Sequence, residues 1–201
     1  MSYEFFTVNS ETENVIIIER SKFICNIKGV ENEEQAKEYI NSLEEKYADA
    51  THVCTAYLLS SPKVEKANDD GEPSGTAGKP MLELLKKKGL DNVLLAVVRY
   101  FGGIKLGAGG LVRAYTNAGN LVLDKAKVVE MITVEEYNAI ADISIGNKVM
   151  ETIRQGGGEL LSCKYTDKVE MNFIGYNADK LKQIYPNIEV VSVGSKVVCQ
   201  K

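Results

Sequence analysis

Two glycine-rich stretches contain the residue types that suit an anion. The first reads Asp-Asp-Gly-Glu-Pro-Ser-Gly-Thr-Ala-Gly-Lys-Pro over residues 69–80, and the second lies within residues 99–115. A helix-like segment follows each glycine loop, and the first N–H groups of a helix have no partner inside the helix. These groups also lie at the positive end of the helix dipole, which favours a phosphate or a carboxylate. We therefore predict that both loops offer bare N–H groups to an anion.

The second glycine loop is predicted to form an anion cradle from the N–H groups of residues 107–110. Arg99, Lys105 and Arg113 lie beside it, and no acidic residue occurs between Arg99 and Tyr115, so we expect a positive local field. A nucleotide is an alternative ligand, although the Gly-x-x-x-x-Gly-Lys-Ser/Thr sequence of a P-loop is absent. The glycines could equally serve a tight turn and the close packing of a helix on a strand.

The first loop begins with three carboxylates, Asp69, Asp70 and Glu72. They could bind a hard cation or act in acid–base chemistry, but the further ligand spacing of a calcium loop is missing. A turn in which the carboxylates accept hydrogen bonds from backbone N–H groups is favoured over a metal site. Glu72 and Thr76 remain candidates for contact with a ligand or partner, since loops beside a rigid scaffold often carry function.

His52 and Cys54 lie two residues apart in a strand-like segment, so their side chains point to the same face. We do not interpret them as a base and its nucleophile, because that spacing keeps them apart for direct proton transfer. If this face looks onto the glycine loops, His52 could contact a phosphate or orient Glu72. No catalytic residue, metal ligand or cofactor is predicted. The predicted ligand-binding set, for phosphate or RNA, comprises His52, Asp70, Glu72, Gly75, Thr76, Gly78, Arg99, Gly102, Gly103, Lys105, Gly107, Gly109, Gly110 and Arg113.

Composition excludes several classes of protein. The 201 residues are 44% hydrophobic and 26% charged with a net charge of −4, which argues against a generally basic protein that coats DNA. Four cysteines without a Cys-x-x-Cys pair, together with one histidine, do not predict a zinc site. The sequence shows no signal peptide and no apolar run that could span a membrane. We therefore predict a cytoplasmic protein with reduced thiols and no membrane partner.

The elements that must position these residues follow from hydrophobic periodicity. The continuous apolar run over residues 93–101 predicts a central strand buried on both faces. Helices are predicted over residues 32–48, 81–88 and 111–125. From about residue 128 the pattern is strand-helix-strand-strand-helix-strand, which is typical of a ferredoxin-like domain. We predict two domains, over residues 1–127 and 128–201.

A set of unusual residues at fixed spacing carries a family resemblance. It comprises His52, Cys54 and Ala56, then Asp70-Gly-Glu-Pro, Gly75-Thr-Ala-Gly, Pro80, Arg99-Tyr, Gly102-Gly and Leu106-Gly-x-Gly-Gly-Leu-x-Arg-x-Tyr. In these residues the sequence resembles the IMPACT family, specifically its bacterial two-domain, YigZ-like branch. The resemblance implies an α+β protein whose N-terminal domain has the fold of the second domain of ribosomal protein S-five. The C-terminal domain would be ferredoxin-like and similar to domain V of elongation factor G.

The resemblance also implies a role in translation. Both folds recur in the translation machinery, and eukaryotic members of the family regulate initiation by binding a ribosome-associated activator of a starvation-sensing kinase. Because those members use a further partner-binding domain, we do not carry the kinase-pathway role over. We expect a regulatory or binding protein, rather than an enzyme, that contacts RNA, the ribosome or a ribosome-bound factor through its glycine-rich basic loops. The alternatives are an enzyme or sensor for a phosphorylated ligand or nucleotide, and a protein–protein adaptor.

Overall fold

The computed structural model describes residues 4–200 and divides the chain into two compact units. One unit comprises Phe5–Glu130, and the other comprises residues 131–200 together with residue 4. The division follows Glu130, whereas the sequence analysis places it after residue 127. Both units mix helices and strands, which confirms the predicted α+β class with two domains.

The N-terminal unit contains a five-stranded antiparallel sheet and three helices. Its elements are β1 Glu4–Val8, β2 Thr12–Ile18, β3 Ser21–Gly29, α1 Glu33–Lys46, β4 His52–Ser60, β5 Lys63–Asn68, α2 Gly78–Lys87, β6 Val93–Tyr100 and α3 Gly107–Leu123. The strand order of the sheet is β2-β3-β6-β4-β5. β1 lies outside this order, and the carbonyl oxygen of Phe6 accepts a hydrogen bond from the N–H of Asp91.

β6 is the central strand of this sheet and is buried on both faces, as the apolar run predicts. Residues 93–98 have no exposed side-chain surface. Leu95 and Val97 pack with α2 and α3 on one face, while Leu94 and Ala96 pack with α1 on the other. A fully buried aliphatic side chain contributes ~1.5–3 kcal/mol relative to its exposed state, so this strand is the main anchor of the unit. Its C-terminal end leads directly into the second glycine loop.

The three helices begin in three different ways. The side chain of Asn32 caps α1 and accepts a hydrogen bond from the N–H of Gln35 at 2.9 Å. No adjacent side chain caps α2, and none caps α3. Among the described residues, no helix is both long enough and apolar enough to cross a membrane. The beginnings of α2 and α3 decide where an anion can bind.

The C-terminal unit has the predicted ferredoxin-like arrangement. Its elements are β7 Val128–Asp142, α4 Ile143–Gln155, β8 Glu159–Tyr165, β9 Lys168–Ile174, α5 Ala178–Ile184 and β10 Glu189–Cys199. Four of these elements pair in the antiparallel order β10-β7-β9-β8, so the first and last strands of the repeat are neighbours. Ile153 of α4 and Leu181 of α5 are fully buried in one core with Phe173 of β9. This order of strands is that of a split βαβ fold.

Candidate ligand site

The first glycine loop is organised by the carboxylate of Asp69. Its Oδ1 accepts hydrogen bonds from the N–H groups of Ala77 at 2.9 Å and Gly78 at 2.8 Å, and its Oδ2 accepts one from Gly75 at 2.7 Å. The positive end of α2 therefore already holds an anion that belongs to the chain itself. The prediction that Gly75 and Gly78 offer bare N–H groups is wrong, because Asp69 caps the helix from nine residues away.

The environment of Asp69 favours its ionised form. Burial on its own would raise the pKa of the Asp69 carboxyl, but the hydrogen bonds from Gly75, Gly78 and Ala77 outweigh burial and lower the pKa below its usual range. A lowered folded-state pKa means that the unfolded chain binds the proton more readily. The stabilisation is therefore complete above the unfolded-state pKa and is lost as the pH falls through the folded-state value.

Asp69→Asn is expected to lower the free energy of unfolding by ~1–2 kcal/mol at neutral pH, since it weakens a helix cap with three N–H donors. Urea unfolding at neutral and acidic pH measures the change, and the difference between wild type and variant should shrink in acid as wild-type Asp69 becomes protonated. Glu44→Gln, at an exposed position of α1, is a matched control that should change little. A pH-independent difference between wild type and Asp69→Asn would contradict the assigned role.

Glu72, from the same loop, lies in a buried polar cluster with Arg99 and Tyr115. One oxygen of Glu72 accepts a hydrogen bond from Nη1 of Arg99 at 2.6 Å and another from the Tyr115 hydroxyl at 2.7 Å. Glu72, Arg99 and Tyr115 are 7%, 5% and 0% exposed. Burial raises the pKa of Tyr115, so its phenol stays protonated and donates. Arg99 and Glu72 neutralise each other, and neither presents a free charge to a ligand.

Further contacts fix the Arg99 guanidinium on its other sides. Its Nη2 donates to Ser21 Oγ at 3.3 Å, and its Cζ lies 5.4 Å from the centroid of the Phe23 ring and 5.5 Å from that of the Phe101 ring. Cations over aromatic faces gain electrostatic attraction when they are desolvated. Arg99 thus joins the first glycine loop, the beginning of β3 and the end of β6 into one rigid junction.

His52 and Cys54 hold the first loop against β4. His52 Nδ1 lies 2.6 Å from the carbonyl oxygen of Asp70, and Nε2 lies 3.9 Å from the second oxygen of Glu72. The Cys54 thiol donates to the carbonyl of Asp69 at 3.0 Å. Burial raises the pKa of Cys54 to about 12, so the sulfur remains a protonated donor near neutral pH. His52 is thus placed to orient Glu72, which is one of its two hypothesised roles.

Two other predicted residues of this loop also bond to the loop or its neighbouring strand. The Asp70 carboxylate accepts a hydrogen bond from the N–H of Val53, and the Thr76 hydroxyl donates to the carbonyl of Pro73 at 2.6 Å. Thr76 is buried. The favoured interpretation, in which Asp70 and Glu72 tie down backbone N–H groups, holds for Asp70 but not for Glu72, whose carboxylate accepts from the Arg99 and Tyr115 side chains. Among the described residues, no group of three or more His, Cys, Asp and Glu side chains has the arrangement of a metal site.

The second glycine loop is fixed to the turn between β2 and β3. The N–H of Gly102 donates to Ser21 Oγ at 3.2 Å, and a Cβ on Gly102 would lie 2.1 Å from the carbonyl carbon of Arg20. Glu19 and Arg20 form the turn with φ values of 46° and 64°, the left-handed pair that a tight hairpin requires. Non-glycine residues in this conformation each cost ~1–2 kcal/mol, which close packing against Gly102 helps to offset.

The beginning of α3 differs from that of α2 because no carboxylate from the described residues 4–200 caps it. α3 begins at Gly107, four residues before the predicted start, and its N-terminal flanking residue Leu106 provides no side-chain cap. The position of a Cβ on Gly109 would be 3.7 Å from Nη1 of Arg113, so the guanidinium lies over the first turn. The N–H groups of residues 107–110 and this cation are therefore adjacent, as predicted for an anion cradle.

A cavity of about 530 Å³ opens beside this helix end, between the second loop and the turn before β3. Its lining includes Glu19, Ile104, Lys105, Gly110, Arg113 and Asn117. Within residues 4–200, neither Lys105 nor Arg113 forms an ion pair. Glu19 corrects the expectation of a purely positive field, since the fold brings in an acidic residue from outside residues 99–115. Glu19 and Asn117 are lining residues that the sequence analysis missed.

The predicted ligand-binding set therefore divides into three groups. Lys105, Gly110 and Arg113 line the cavity, with Gly107 and Gly109 in the adjoining helical turn. Gly103 is a left-handed loop residue with φ of 85°, and Gly102 is the packing contact. The remaining members, His52, Asp70, Glu72, Gly75, Thr76, Gly78 and Arg99, belong to the first loop and the buried cluster and do not line the cavity.

Comparison with known proteins places these features in a family. A model of the Impact N-terminal domain matches residues 19–123, which extend from the β2–β3 turn to the end of α3. The chain belongs to the IMPACT family. IMPACT family member YvyE of Bacillus subtilis is 43% identical over 171 residues, which cover 85% of this chain and 79% of that protein. IMPACT family member YigZ of Escherichia coli is 34% identical and covers 74% of each chain.

A solved structure extends the similarity across both units of this IMPACT-family chain. It is described as the crystal structure of a hypothetical protein, is 28% identical and covers 94% of this chain and 97% of its own, with a TM-score of 0.66. The family assignment confirms the resemblance carried by the motif residues. Both glycine loops, the buried cluster and all of the cavity lining except Ile18 lie within the residues that the family model matches.

Proposed function

We propose that this protein is a translation-associated regulatory protein that binds a partner rather than transforming a substrate. RNA, the ribosome or a ribosome-bound factor is the proposed partner, and the cytoplasm is the proposed location. Membership in the IMPACT family supports the translation role, together with two domain folds that recur in translation proteins. The burial and mutual pairing of Glu72 and Arg99 favour a structural role over acid–base chemistry.

The observation that carries the proposal is the uncapped beginning of α3. There, the first N–H groups of a 17-residue helix lie next to Arg113 and Lys105, neither of which has an acidic partner within residues 4–200. The helix dipole, the N–H donors and the two cations all attract a negatively charged ligand to this position. A phosphate of an RNA backbone meets all three requirements, and its sequence-independent contacts suit a ribosomal or transfer RNA partner.

Arg113→Ala is expected to weaken the binding of labelled ribosomal or transfer RNA and to reduce the slope of log K against log salt by about 1, because one phosphate contact is lost. Fluorescence anisotropy across a salt series measures both effects. Lys63→Ala is the control, since Lys63 lies on β5 and is 80% exposed. Absence of RNA binding by the wild type at low salt, or an unchanged slope in Arg113→Ala, would remove RNA as the ligand of this helix end.

A phosphorylated small molecule is the second candidate ligand, and the size of the cavity favours it. A volume of about 530 Å³ falls within the range of ~300–1,000 Å³ that small-molecule sites occupy. In this case the protein would act as a sensor or an enzyme for a nucleotide or related phosphate. Saturable nucleotide binding that requires Mg²⁺ and does not compete with RNA would favour this candidate. A partner retained after nuclease treatment would instead favour a protein adaptor.

A further inference from the structure

A second concave surface lies on a different face of α3 from the loop cavity. It is a groove of about 730 Å³ between α2 and α3, and it shares no lining residue with the loop cavity. α3 lines the groove with Val112, Thr116 and Asn120. These residues are spaced four apart, so they form one stripe along the helix. The stripe extends over eight residues, or about 12 Å, which is roughly two helical turns.

The groove exists because α2 and α3 approach each other closely beneath it. A Cβ on Gly119 would lie 2.6 Å from Cδ2 of Leu84, so a larger residue there would require the Leu84 side chain to move. Leu84 and Pro80 from α2 and Val112 from α3 give the groove an apolar lining. Val112 is 36% exposed and lines this open groove. An apolar groove of two turns in length suits the apolar face of a helix.

The rim of the groove is positively charged. Lys79, Lys87 and Lys88 line it, and within residues 4–200 none of the three forms an ion pair. The acidic residue of the lining, Glu83, lies 3.6 Å from Nζ of Lys86, which also pairs with Glu65, so Glu83 keeps part of its charge. The groove therefore combines an apolar stripe with an excess of positive charge, three lysines against one glutamate, on a chain whose net charge is −4.

We propose that this groove binds an acidic amphipathic helix of a partner protein. Apolar side chains of that helix would pack on Pro80, Leu84 and Val112, and its flanking carboxylates would meet the lysines of the rim. A protein segment is favoured over single-stranded RNA because the lining contains no aromatic ring on which a base could stack. The complementary charges would steer association and select against basic helices.

The test is selection of a displayed library of random 16-residue peptides on the full-length chain, followed by affinity measurement of the enriched peptides by anisotropy. Val112→Asp and Lys79→Glu/Lys87→Glu alter the floor and the rim of the groove. Leu121→Asp is the matched control, since Leu121 is also 36% exposed on α3 but does not line the groove. Lys63→Glu controls for a charge reversal outside the groove lining. A ten-nucleotide single-stranded RNA serves as competitor.

The expected result is enrichment of peptides with apolar residues at helical spacing and an excess of Asp and Glu. Their affinity should fall at least about tenfold in Val112→Asp and in the double lysine variant, and remain within about twofold in the two controls. Arg113→Ala, at the loop cavity, should leave peptide binding unchanged. Failure to enrich any peptide, enrichment of basic peptides, equal binding to Val112→Asp, or displacement by the RNA would each overturn the proposal.

Discussion

Replacing Glu72 with leucine is expected to lower the free energy of unfolding of the N-terminal unit by ~3–5 kcal/mol, because a buried guanidinium would lose its counter-ion. Arg99 is 5% exposed, and its neutral hydrogen-bond partner, Ser21 Oγ at 3.3 Å, supplies no charge. The Tyr115 hydroxyl would lose its carboxylate acceptor in the same substitution. The variant therefore leaves both a cation and a donor unsatisfied in the core.

Hydrogen exchange of the β6 amides measures this effect, since β6 lies at the centre of the N-terminal sheet and reports the opening of that unit. Arg99→Leu should be destabilising for the reciprocal reason. The double variant Glu72→Leu/Arg99→Leu should lose less than the sum of the single variants, because no unpaired charge remains. Glu65→Leu, which breaks a surface pair with Lys86, is the control and should change little. Additive losses would contradict the assigned pairing.

The second large effect is expected for Gly102→Ala, with a loss of ~1–3 kcal/mol through overpacking. A Cβ at this position would lie 2.1 Å from the carbonyl carbon of Arg20 and 2.5 Å from the N atom of Ser21. Both obstacles are backbone atoms, so no side-chain rotation can relieve the contact. The turn between β2 and β3 must therefore move away, and the bond from Gly102 N–H to Ser21 Oγ should lengthen or break.

Thermal unfolding together with NMR shifts of the turn amides would measure both consequences of Gly102→Ala. Gly109→Ala is the matched control within the same glycine-rich stretch. Its Cβ would have Arg113 Nη1 as its neighbour at an ordinary 3.7 Å, and alanine favours the helix over glycine. Gly109→Ala should therefore keep or slightly raise the stability. Unchanged turn shifts in Gly102→Ala would show that the two segments are not in contact.

Local patterns in the sequence were sufficient for most of the elements. The run over residues 93–101 predicts β6 correctly. A strand that packs against a core on each face has apolar side chains on both faces, so its sequence is continuously apolar. Asn32 and the acidic residues after it predict the start of α1, since this cap is adjacent in sequence. The sequence predicts a start of α3 at Leu111, because glycines have low helix propensity. The helix begins at Gly107 instead, since tertiary packing overrides that propensity. The short strand β1 was not predicted.

The site was predicted less well, because its decisive contacts are distant in sequence. Asp69 caps α2 from nine residues away, and Glu72 pairs with Arg99 across 27 residues. Glu19 enters the loop cavity from a turn outside the glycine-rich stretch. A single sequence contains the residue types for these contacts but no distance between them. The sequence therefore does not distinguish the glycines that pack against other segments from those near the loop cavity.

The carboxylate of Asp69 also determines how many helix N-termini of the N-terminal unit are open to a polyanion. Asn32 caps α1 and Asp69 caps α2, so among these three fully described helices α3 alone begins without a side chain on its first N–H groups. A nucleic acid chain would consequently have a phosphate bound at one helix N-terminus of this unit instead of at two. Such a domain would bind its partner at a single position. Other surfaces of the protein would then set the length and direction of the remaining contact.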